Sequence, residues 1–345
     1  MPLPMRAVII RGAAVFAVAG LLLTGCVSKQ DNAGSQKAPA TVPLSELSDV
    51  TLQIGDQKGG TEALLRAAGA LDGVPYKVAF STFTSGPPQI EAATAGKIDF
   101  AITGNTPPIF GAASNAKVKV VSAYDGGGIG DQVLVHPDSP ITTIADLKGK
   151  RIAVGKGSSA HGHILAQLKN AGLTPNDVEL VFLQPADALS AFQQRAVDSW
   201  VIWDPYTAQV AQQFPVRSIG QAKDVTNGYW FGVASDQALA DAKRNSALQD
   251  LLIRFEKAAK WAQDHPQQWA QSYSAAVGLD PRAAEVSQAR SLRLPTALND
   301  DVIASEQKIA DIFAESGQIQ TAPKFADWVD KRYNDALGPL LISRS

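Results

Sequence analysis

A proline-containing phrase occurs twice in one stretch of the chain, as Ser85-Gly86-Pro87-Pro88 and as Asn105-Thr106-Pro107-Pro108. A hydroxyl or amide residue followed by proline is typical of a helix N-terminus, where backbone N–H groups have no partner inside the helix. Those free donors, together with the positive end of the helix dipole, favour a bound anion. The repetition predicts two helix starts that face one anion, although Pro-Pro can also simply begin a helix.

Similar chemistry recurs in five loops, each of which follows a predicted strand and opens a predicted helix. In an α/β sheet such loops meet at the carboxyl edge of the strands, where ligands bind. They carry hydroxyls, amides and exposed backbone N–H groups but few charges, a set that suits an anion held by many neutral donors. The loops are residues 55–60, 85–87, 103–106, 155–161 and 203–206.

The fourth loop also contains Gly155-x-Gly157-x-x-Ala160, a permitted form of the dinucleotide-binding fingerprint. That fingerprint needs an acidic residue at the end of the next strand to hold a ribose hydroxyl, and Gln184 stands there instead. The Lys-Ser or Lys-Thr pair of a phosphate loop is also missing. The sequence therefore predicts no nucleotide cofactor.

The histidines do not form the pattern of a metal site. His161 and His163 are two residues apart on a predicted helix, so their side chains face different sides. His136 and His265 belong to unrelated elements, and we predict no bound metal. His161 is a candidate donor to the anion from its helix start, with a solvated or capping role as the alternative.

Trp200 and Trp203 lie at the end of a predicted strand. Because alternate residues of a strand face opposite sides, only one of the two should reach a ligand. Trp203 adjoins the loop and is favoured, while Trp200 is predicted to pack in the core. Asp204-Pro205 is interpreted first as a helix N-cap and first helical residue, with ligand contact by Asp204 as the alternative. No nucleophile, base and orienting group occur at motif spacing, so nothing requires catalysis.

The first residues have the pattern of an export signal. Arg6 and Arg11 precede an apolar stretch, Ala13–Leu23, that is too short to span a bilayer but fits a secretory signal peptide over residues 1–25. Small residues before Cys26 resemble the lipobox of bacterial lipoproteins, which implies cleavage there and lipid attachment to the thiol. Cys26 is the only cysteine, so an intrachain disulfide is excluded. The polar residues 26–48 are predicted to be a flexible tether at the outer face of the cell membrane.

Composition limits the choice of partners. The chain has 31 basic and 33 acidic residues, a formal charge of −2. Residues 1–25 contain two arginines and no acid, so 29 basic and 33 acidic residues remain after cleavage, a charge of −4. No basic excess is left for nucleic acid. An anionic ligand must therefore be held by local dipoles and a few placed groups.

Short apolar runs alternate with stretches of helical period up to residue 235, which predicts an α/β architecture with mainly parallel sheets. The predicted strands are residues 50–54, 76–80, 98–102, 118–123, 132–135, 151–154, 178–183, 199–202 and 230–233. The predicted helices between them include residues 61–71, 87–95, 160–171 and 186–195. A helical C-terminal segment follows, with predicted helices over residues 247–264, 266–276, 281–292, 300–316 and 325–337.

Glycine-containing stretches at residues 124–130 and 227–232 flank the middle third of the chain. A chain that leaves one lobe at the first stretch and returns at the second forms two lobes joined by a two-strand hinge, with a ligand cleft between them. We predict lobe 1 from residues 49–125 and 232–340, and lobe 2 from residues 126–231. The alternative is that the glycines form an ordinary loop.

Four segments together resemble the periplasmic aliphatic sulfonate-binding subunits of ABC importers, a family with taurine- and nitrate-binding relatives. The segments are SGPPQIEAATAGKIDFAITGNTPPIF, DLKGKRIAVGKGSSAHGHIL, LQPADALSAF and AVDSWVIWDPY. The resemblance covers roughly residues 50–337. It implies a two-lobed periplasmic binding protein of type II, a monomer that captures an alkanesulfonate and delivers it to a membrane permease.

Carried over to this chain, the resemblance places the sulfonate among six residues: Ser85, Gly86, Thr103, Gly104, Ser158 and Ser159. Gln57 and Trp203 would border it, and Tyr229 and Trp230 would lie nearer the alkyl tail. Relatives often have Asp where this chain has Asn105, so ligand preference is expected to change there. For Arg290 and Arg293, a surface salt bridge is expected rather than a ligand contact.

Other ligands and one other activity fit the same resemblance. Taurine, nitrate or a thiamin-precursor pyrimidine could replace the alkanesulfonate. An enzyme related to the pyrimidine synthases of thiamin biosynthesis is a further alternative. Those enzymes use a cysteine-rich motif that this chain lacks, and a lipid anchor suits them poorly, so a binding protein is favoured.

Overall fold

The computed structural model describes residues 38–58, 60–291 and 293–342. The predicted signal peptide and Cys26 lie outside these residues. From residue 38 onward the described chain belongs to one compact unit, Ser35–Ser345. No helix in the described part of the chain is long and apolar enough to cross a membrane.

Eleven strands form two sheets in the described residues. In chain order they are β1 (Thr51–Gln57), β2 (Lys77–Phe83), β3 (Phe100–Gly104), β4 (Val118–Asp125), β5 (Gln132–Val135), β6 (Arg151–Val154), β7 (Glu179–Phe182), β8 (Ser199–Ile202), β9 (Arg217–Gln221), β10 (Tyr229–Ser235) and β11 (Leu294–Thr296). The larger sheet has the order β11-β4-β10-β3-β1-β2, and the smaller has the order β7-β6-β8-β5-β9.

Both sheets are mixed, so the expectation of mainly parallel sheets was wrong. β1 is parallel to β2 and β3, whereas β10 is antiparallel to β3 and β4. In the smaller sheet β6 is parallel to β7 and β8, whereas β5 is antiparallel to β8 and β9. β5 and β10 are the strands that follow the two connections between the sheets, and each is antiparallel to both of its neighbours.

The helices pack on the faces of the two sheets. They are α1 (Gly60–Ala67), α2 (Gly86–Thr94), α3 (Thr106–Ala113), α4 (Ser159–Asn170), α5 (Pro185–Gln193), α6 (Tyr206–Gln213), α7 (Asp236–Ala240), α8 (Ala242–Asp264), α9 (Pro266–Val277), α10 (Pro281–Arg290), α11 (Asp300–Glu315) and α12 (Asn334–Leu337). α8 shows why they pack: its apolar residues recur every three or four positions and form one buried face. That face comprises Leu248, Leu251, Leu252, Phe255, Ala258, Ala259 and Ala262.

Three apolar clusters make up the core of the described part of the chain. One joins α1, α8 and α9 to the larger sheet through residues such as Leu52 and Phe255. A second, on the larger sheet, includes Ile109 of α3 and Phe313 of α11. The third surrounds the smaller sheet and contains Phe192 and Trp200.

Every predicted strand is present, but the pattern missed β9 and β11. Both are short edge strands, and β11 contains Pro295, which an edge tolerates because one side of the strand makes no ladder bonds. The helix predicted over residues 325–337 was also wrong. That segment forms a 3-10 turn, Phe325–Trp328, then a parallel bridge between Val329 and Val120, then α12.

The chain passes between the sheets twice, at residues 126–131 after β4 and at residues 222–228 after β9. The two connections run side by side, since Gly126 N donates to Gly228 O at 3.0 Å. Gly127, Gly128 and Gly228 have positive φ values of 75°, 70° and 63°, which favour glycine. These connections coincide with the glycine stretches from which a hinge was predicted. Motion of two lobes about them stays a prediction.

Candidate functional site

Two cavities lie where the loops of the two sheets meet, and they share Trp230 and Ser291. The first has about 680 Å³ of unoccupied space, its opening to solvent included, and the second about 340 Å³. The first is lined by Gln57, Lys58, Gly60, Leu64, Trp203, Asp204, Pro205, Trp230, Ala259, Ala262, Trp269, Tyr273, Gln288, Ser291, Arg293 and Leu294. The second is lined by Gly104, Asn105, Gly126, Gly128, Gly130, Asp131, Ser159, Ala222, Thr226, Gly228, Tyr229, Trp230 and Ser291.

Arg293 supplies a positive charge to the wall of the first cavity. Its guanidinium carbon lies 4.5 Å from the centre of the Trp230 ring, a cation–π arrangement. Burial lowers the pKa of Arg293, which shows that its charge is poorly solvated. In the described residues no side chain forms an ion pair with it. The surface salt bridge expected for this arginine was therefore wrong.

Asp56, at the end of β1, is a carboxylate that interacts electrostatically with Arg293. Its two oxygens accept hydrogen bonds from Thr61 N at 2.8 Å and from Glu62 N at 3.2 Å, so Asp56 caps the first turn of α1. Burial raises the pKa of Asp56, and the two N–H donors act against that rise. Arg293 thus retains donor capacity that faces the cavity.

Orphaned polar atoms cluster at the carboxyl ends of β1 and β3. Gln57 Oε1 and Thr103 Oγ1 are buried and have no hydrogen-bond partner in the described structure. Thr103 packs against Gly86: a Cβ at position 86 would lie only 2.0 Å from its hydroxyl oxygen. Buried polar atoms are normally paired, so unpaired ones at strand ends are typical of a ligand site.

The predicted helix starts are in place, but their donors are fewer than expected. Ser85, Asn105 and Ser158 occupy the N-cap positions of α2, α3 and α4, and none of the three side chains makes a capping hydrogen bond. Proline fills the second and third positions of α2 and of α3, and proline has no N–H. Each Pro-Pro pair thus removes two of the four donors that a helix start offers. α4 has no proline, but Ser158 N already donates to Gly155 O at 3.2 Å and His161 N to Ser158 O at 2.9 Å, so it too offers two free donors.

The side chain of Asn105 is hydrogen-bonded to two neighbouring side chains. Its Nδ2 donates to Asn227 Oδ1 at 2.9 Å, and its Oδ1 accepts from Thr106 Oγ1 at 3.1 Å. Asn227 in turn donates to Glu306 Oε2 at 2.6 Å. Burial raises the pKa of Glu306 well above its usual value. Asn105 therefore links the start of α3 to the second connection and to α11, while also lining the second cavity.

Asp204 joins the smaller sheet to α10 through Arg290. Arg290 Nε donates to Asp204 Oδ2 at 2.6 Å and Nη2 donates to Oδ1 at 2.9 Å, a bidentate pair whose carboxylate is 2% exposed. Arg290 is 23% exposed but its partner carboxylate is buried, so a surface salt bridge was the wrong expectation for Arg290 too. The helix α6 begins at Tyr206 with Pro205 as its N-cap, one residue later than the predicted Asp204 cap.

The two tryptophans take different positions. Trp203 lines the first cavity, whereas Trp200 is 1% exposed and belongs to the core of the smaller sheet. His161 lies among Phe110, Phe182 and Phe313, with ring centroids 6.1, 5.1 and 4.9 Å away. Burial lowers the pKa of His161 to about 3, so the ring is neutral at pH 7 and offers no positive charge to an anion.

The cavities bring together only part of the predicted site. Gln57, Trp203, Asp204 and Trp230 line the first, and Gly104, Asn105, Ser159, Tyr229 and Trp230 line the second. Five predicted residues line neither of these cavities: Ser85, Gly86, Thr103, Ser158 and His161. Lys58, Asp131, Tyr273 and Arg293 line them without having been predicted. The sequence carried no usable signal for Arg293, because β11, which follows it, is too short to be predicted.

Asp131 is a carboxyl group in the second cavity. Ser159 donates a hydrogen bond to it, yet burial raises its pKa to about 7. An anion would be repelled by the ionised form of this group. The charges thus differ between the two cavities, with Lys58, Arg293 and the Arg290-paired Asp204 in the first and Asp131 in the second. No group of three or more His, Cys, Asp or Glu in the described ranges could hold a metal ion.

The two mixed sheets, the paired connections and the cleft at the loop ends define an α/β binding protein of the periplasmic type. The periplasmic aliphatic sulphonate binding protein SsuA from Escherichia coli has a similar structure, with a TM-score of 0.73 and 31% identity over 81% of this chain and 92% of that chain. The alkanesulfonate-binding protein SsuA from Xanthomonas axonopodis pv. citri, solved bound to MOPS, gives a TM-score of 0.77 and 27% identity over 85% and 100%.

The chain belongs to the NMT1/THI5-like family, which matches residues 78–269. A protein of Escherichia coli strain K12 named for aliphatic sulfonate binding is 35% identical over 290 residues, which cover 82% of this chain and 88% of that protein.

Proposed function

We propose that this chain is the substrate-binding subunit of an ABC importer and captures an aliphatic sulfonate in the cleft. The observation that carries the proposal is the half-buried Arg293 guanidinium, which has no ion-pair partner in the described residues and lines a cavity with aromatic walls. A sulfonate is a permanent anion with three acceptor oxygens, and the aromatic and aliphatic walls suit an alkyl tail. The names of the similar proteins support the same ligand class.

Two placements of the sulfonate head can be distinguished. In the first, which we favour, the head accepts from Arg293 and the tail packs on Trp203 and Trp230. In the second, taken over from the sequence resemblance, the head lies among the helix starts and contacts Ser85, Gly86, Thr103, Gly104, Ser158 and Ser159. The prolines in α2 and α3 reduce the donors available to the second placement.

The test of function is calorimetric titration of the mature chain with C2 to C8 alkanesulfonates, MOPS, taurine, nitrate and sulfate. Tris chloride is the required buffer, because HEPES and MOPS are themselves sulfonates. We expect saturable 1:1 binding of at least one alkanesulfonate and weaker binding of nitrate and sulfate. The proposal fails if no sulfonate binds.

The change Arg293→Gln tests the placement. Loss of a hydrogen bond to a charged group is worth about 1.5–3 kcal/mol, so we expect about a 10- to 100-fold weaker Kd for the sulfonate. Arg66→Gln is the matched control, since the Arg66 side chain is 62% exposed and pairs with Glu62. Unchanged affinity in Arg293→Gln together with a loss in Ser159→Ala would instead favour the helix-start placement.

The remaining parts of the proposal concern location and partners. We infer that the protein is exported, held at the outer face of the membrane by lipid on Cys26, monomeric, and without catalytic activity. A permease receives the ligand. The two connections at residues 126–131 and 222–228 serve as the hinge between lobe 1 and lobe 2.

A further inference from the structure

Asp204 lines the first cavity, and its carboxylate oxygens already accept hydrogen bonds from neighbouring groups. Besides the two bonds from Arg290, Asp204 Oδ2 accepts from Ser291 Oγ at 3.1 Å, and Oδ1 accepts from Ala208 N at 3.2 Å. Thr207 Oγ1 lies in a further short contact with Oδ1. A carboxylate offers about four acceptor positions, so little is left for a ligand.

The balance of charge in the first cavity follows from this pair. The charged residues that line it are Lys58, Arg293 and Asp204, and Asp204 is neutralised by Arg290. Asp56 serves the first turn of α1 and does not line the cavity, while Asp131 lines the second one. A ligand tail in the first cavity therefore meets aromatic rings and cations but no available carboxylate.

We propose that the Arg290–Asp204 pair is a specificity determinant that makes the cavity select sulfonates with uncharged alkyl tails over sulfonates with an ammonium group. This rests on the proposed function. With Arg290 in place, an ammonium loses its water without gaining an anionic partner, which is costly for a charged group. When a neutral residue replaces Arg290, the carboxylate of Asp204 loses its ion-pair partner at the cavity wall and attracts an ammonium.

A pair of ligands isolates this effect. Propane-1-sulfonate and 2-aminoethanesulfonate (taurine) have equally long chains and differ in a terminal methyl or ammonium group. We expect the wild-type chain to bind propane-1-sulfonate at least about tenfold more tightly, because a buried unpaired charge costs more than one hydrogen bond. Equal binding, or tighter binding of taurine, by the wild-type chain overturns the inference without any variant.

Three variants then assign the effect to the pair. Arg290→Gln should shift the affinity ratio toward taurine by about tenfold or more, and Arg290→Lys should keep the wild-type ratio. In the double variant Arg290→Gln/Asp204→Asn the shift should disappear, which separates Asp204 from the neighbouring Asp131. Arg282→Gln, also on α10 with a side chain 65% exposed, is the control.

The outcomes separate this inference from the proposed function. If the wild-type chain binds neither sulfonate, the function itself fails. If it binds propane-1-sulfonate but folded Arg290→Gln keeps the wild-type ratio, the function stands and the inference is overturned. Circular dichroism identifies any variant that does not fold. If Arg290→Gln does not fold, Arg290→Met takes its place with the same expected shift, and an unchanged ratio in that variant overturns the inference.

Discussion

Gly86 shows how little room the candidate site leaves at single positions. A Cβ there would lie 2.0 Å from Thr103 Oγ1 and 2.5 Å from Pro107 Cγ, closer than side chains approach in real structures. The glycine in the first Pro-Pro phrase is thus required by the close approach of α2 to β3 and α3. The phrase that first indicated an anion site is also a packing requirement.

Gly86→Ala should lower the free energy of unfolding by about 1–3 kcal/mol, the usual effect of overpacking a tight contact. Urea denaturation followed by circular dichroism measures this change. Gly338→Ala is the matched control, because a Cβ at Gly338 meets nothing within 4 Å and its φ is −47°. Equal effects of the two substitutions would contradict the tight contact at position 86.

At the scale of elements, α8 packs on β4 around a buried acid. Glu256 of α8 is 1% exposed, and it hydrogen-bonds with Tyr124 of β4, which also accepts from Ser122 Oγ at 3.1 Å. Burial raises the pKa of Glu256 to about 8. The folded chain thus keeps a proton on this group at pH values where the unfolded chain has lost it.

The free energy of unfolding should therefore fall as the pH rises from 6.5 to 8. A group with a raised pKa contributes its stabilisation below the unfolded value and loses it as the pH approaches the folded value. For Glu256 the fall over this range is about 1–2 kcal/mol. Asp131, with a pKa raised to about 7, acts in the same direction. His161 and His163, whose pKa values burial lowers to about 3 and about 4, act in the opposite direction, mainly below pH 6.5 and by only about 0.4 kcal/mol each above it.

Glu256→Gln should reduce this fall in the free energy of unfolding. Urea denaturation of the variant at pH 6.5 and pH 8 provides the comparison. Glu285→Gln is the control, since the side chain of Glu285 is 57% exposed. A pH dependence as steep in Glu256→Gln as in the wild-type chain would assign the effect to other groups.

At the scale of the whole molecule, the two sheets are joined by two glycine-containing connections and meet again through the Arg290–Asp204 pair. Asp204 of the pair lines the first cavity, whereas residues of the connections line the second. A ligand in the first cavity would contact Gln57 at the end of β1 and Trp203 just after β8, and thus both sheets. Both sheets therefore contribute residues to the candidate ligand site.

Attachment to the membrane is the prediction that belongs to the full chain. Cys26→Ala removes the thiol that the lipobox resemblance assigns to lipid. We expect the variant to leave the membrane fraction of expressing bacteria while the mature part binds propane-1-sulfonate with unchanged affinity. Fractionation with immunodetection measures the first result and calorimetry the second. Retention of Cys26→Ala in the membrane fraction would show that another feature holds the protein there.

The sequence by itself determined the alternation of strands and helices, the helix starts and the two glycine-containing connections. These depend on local periodicity and on the backbone preferences of proline and glycine, which neighbouring residues largely settle. It did not predict β9 and β11, because short edge strands carry too few residues for a pattern.

Only the tertiary structure decided which charges meet in the cleft. Arg293 lies beside Trp230 and Gly60, and Arg290 pairs with Asp204, although each pair is far apart in the chain. In the same packing, the side-chain amide of Asn105 donates a hydrogen bond to Asn227, and His161 is enclosed among phenylalanines. How deeply a charged group is buried, and which group it pairs with, depend on every element packed around it. A local sequence pattern contains no information about those distant elements.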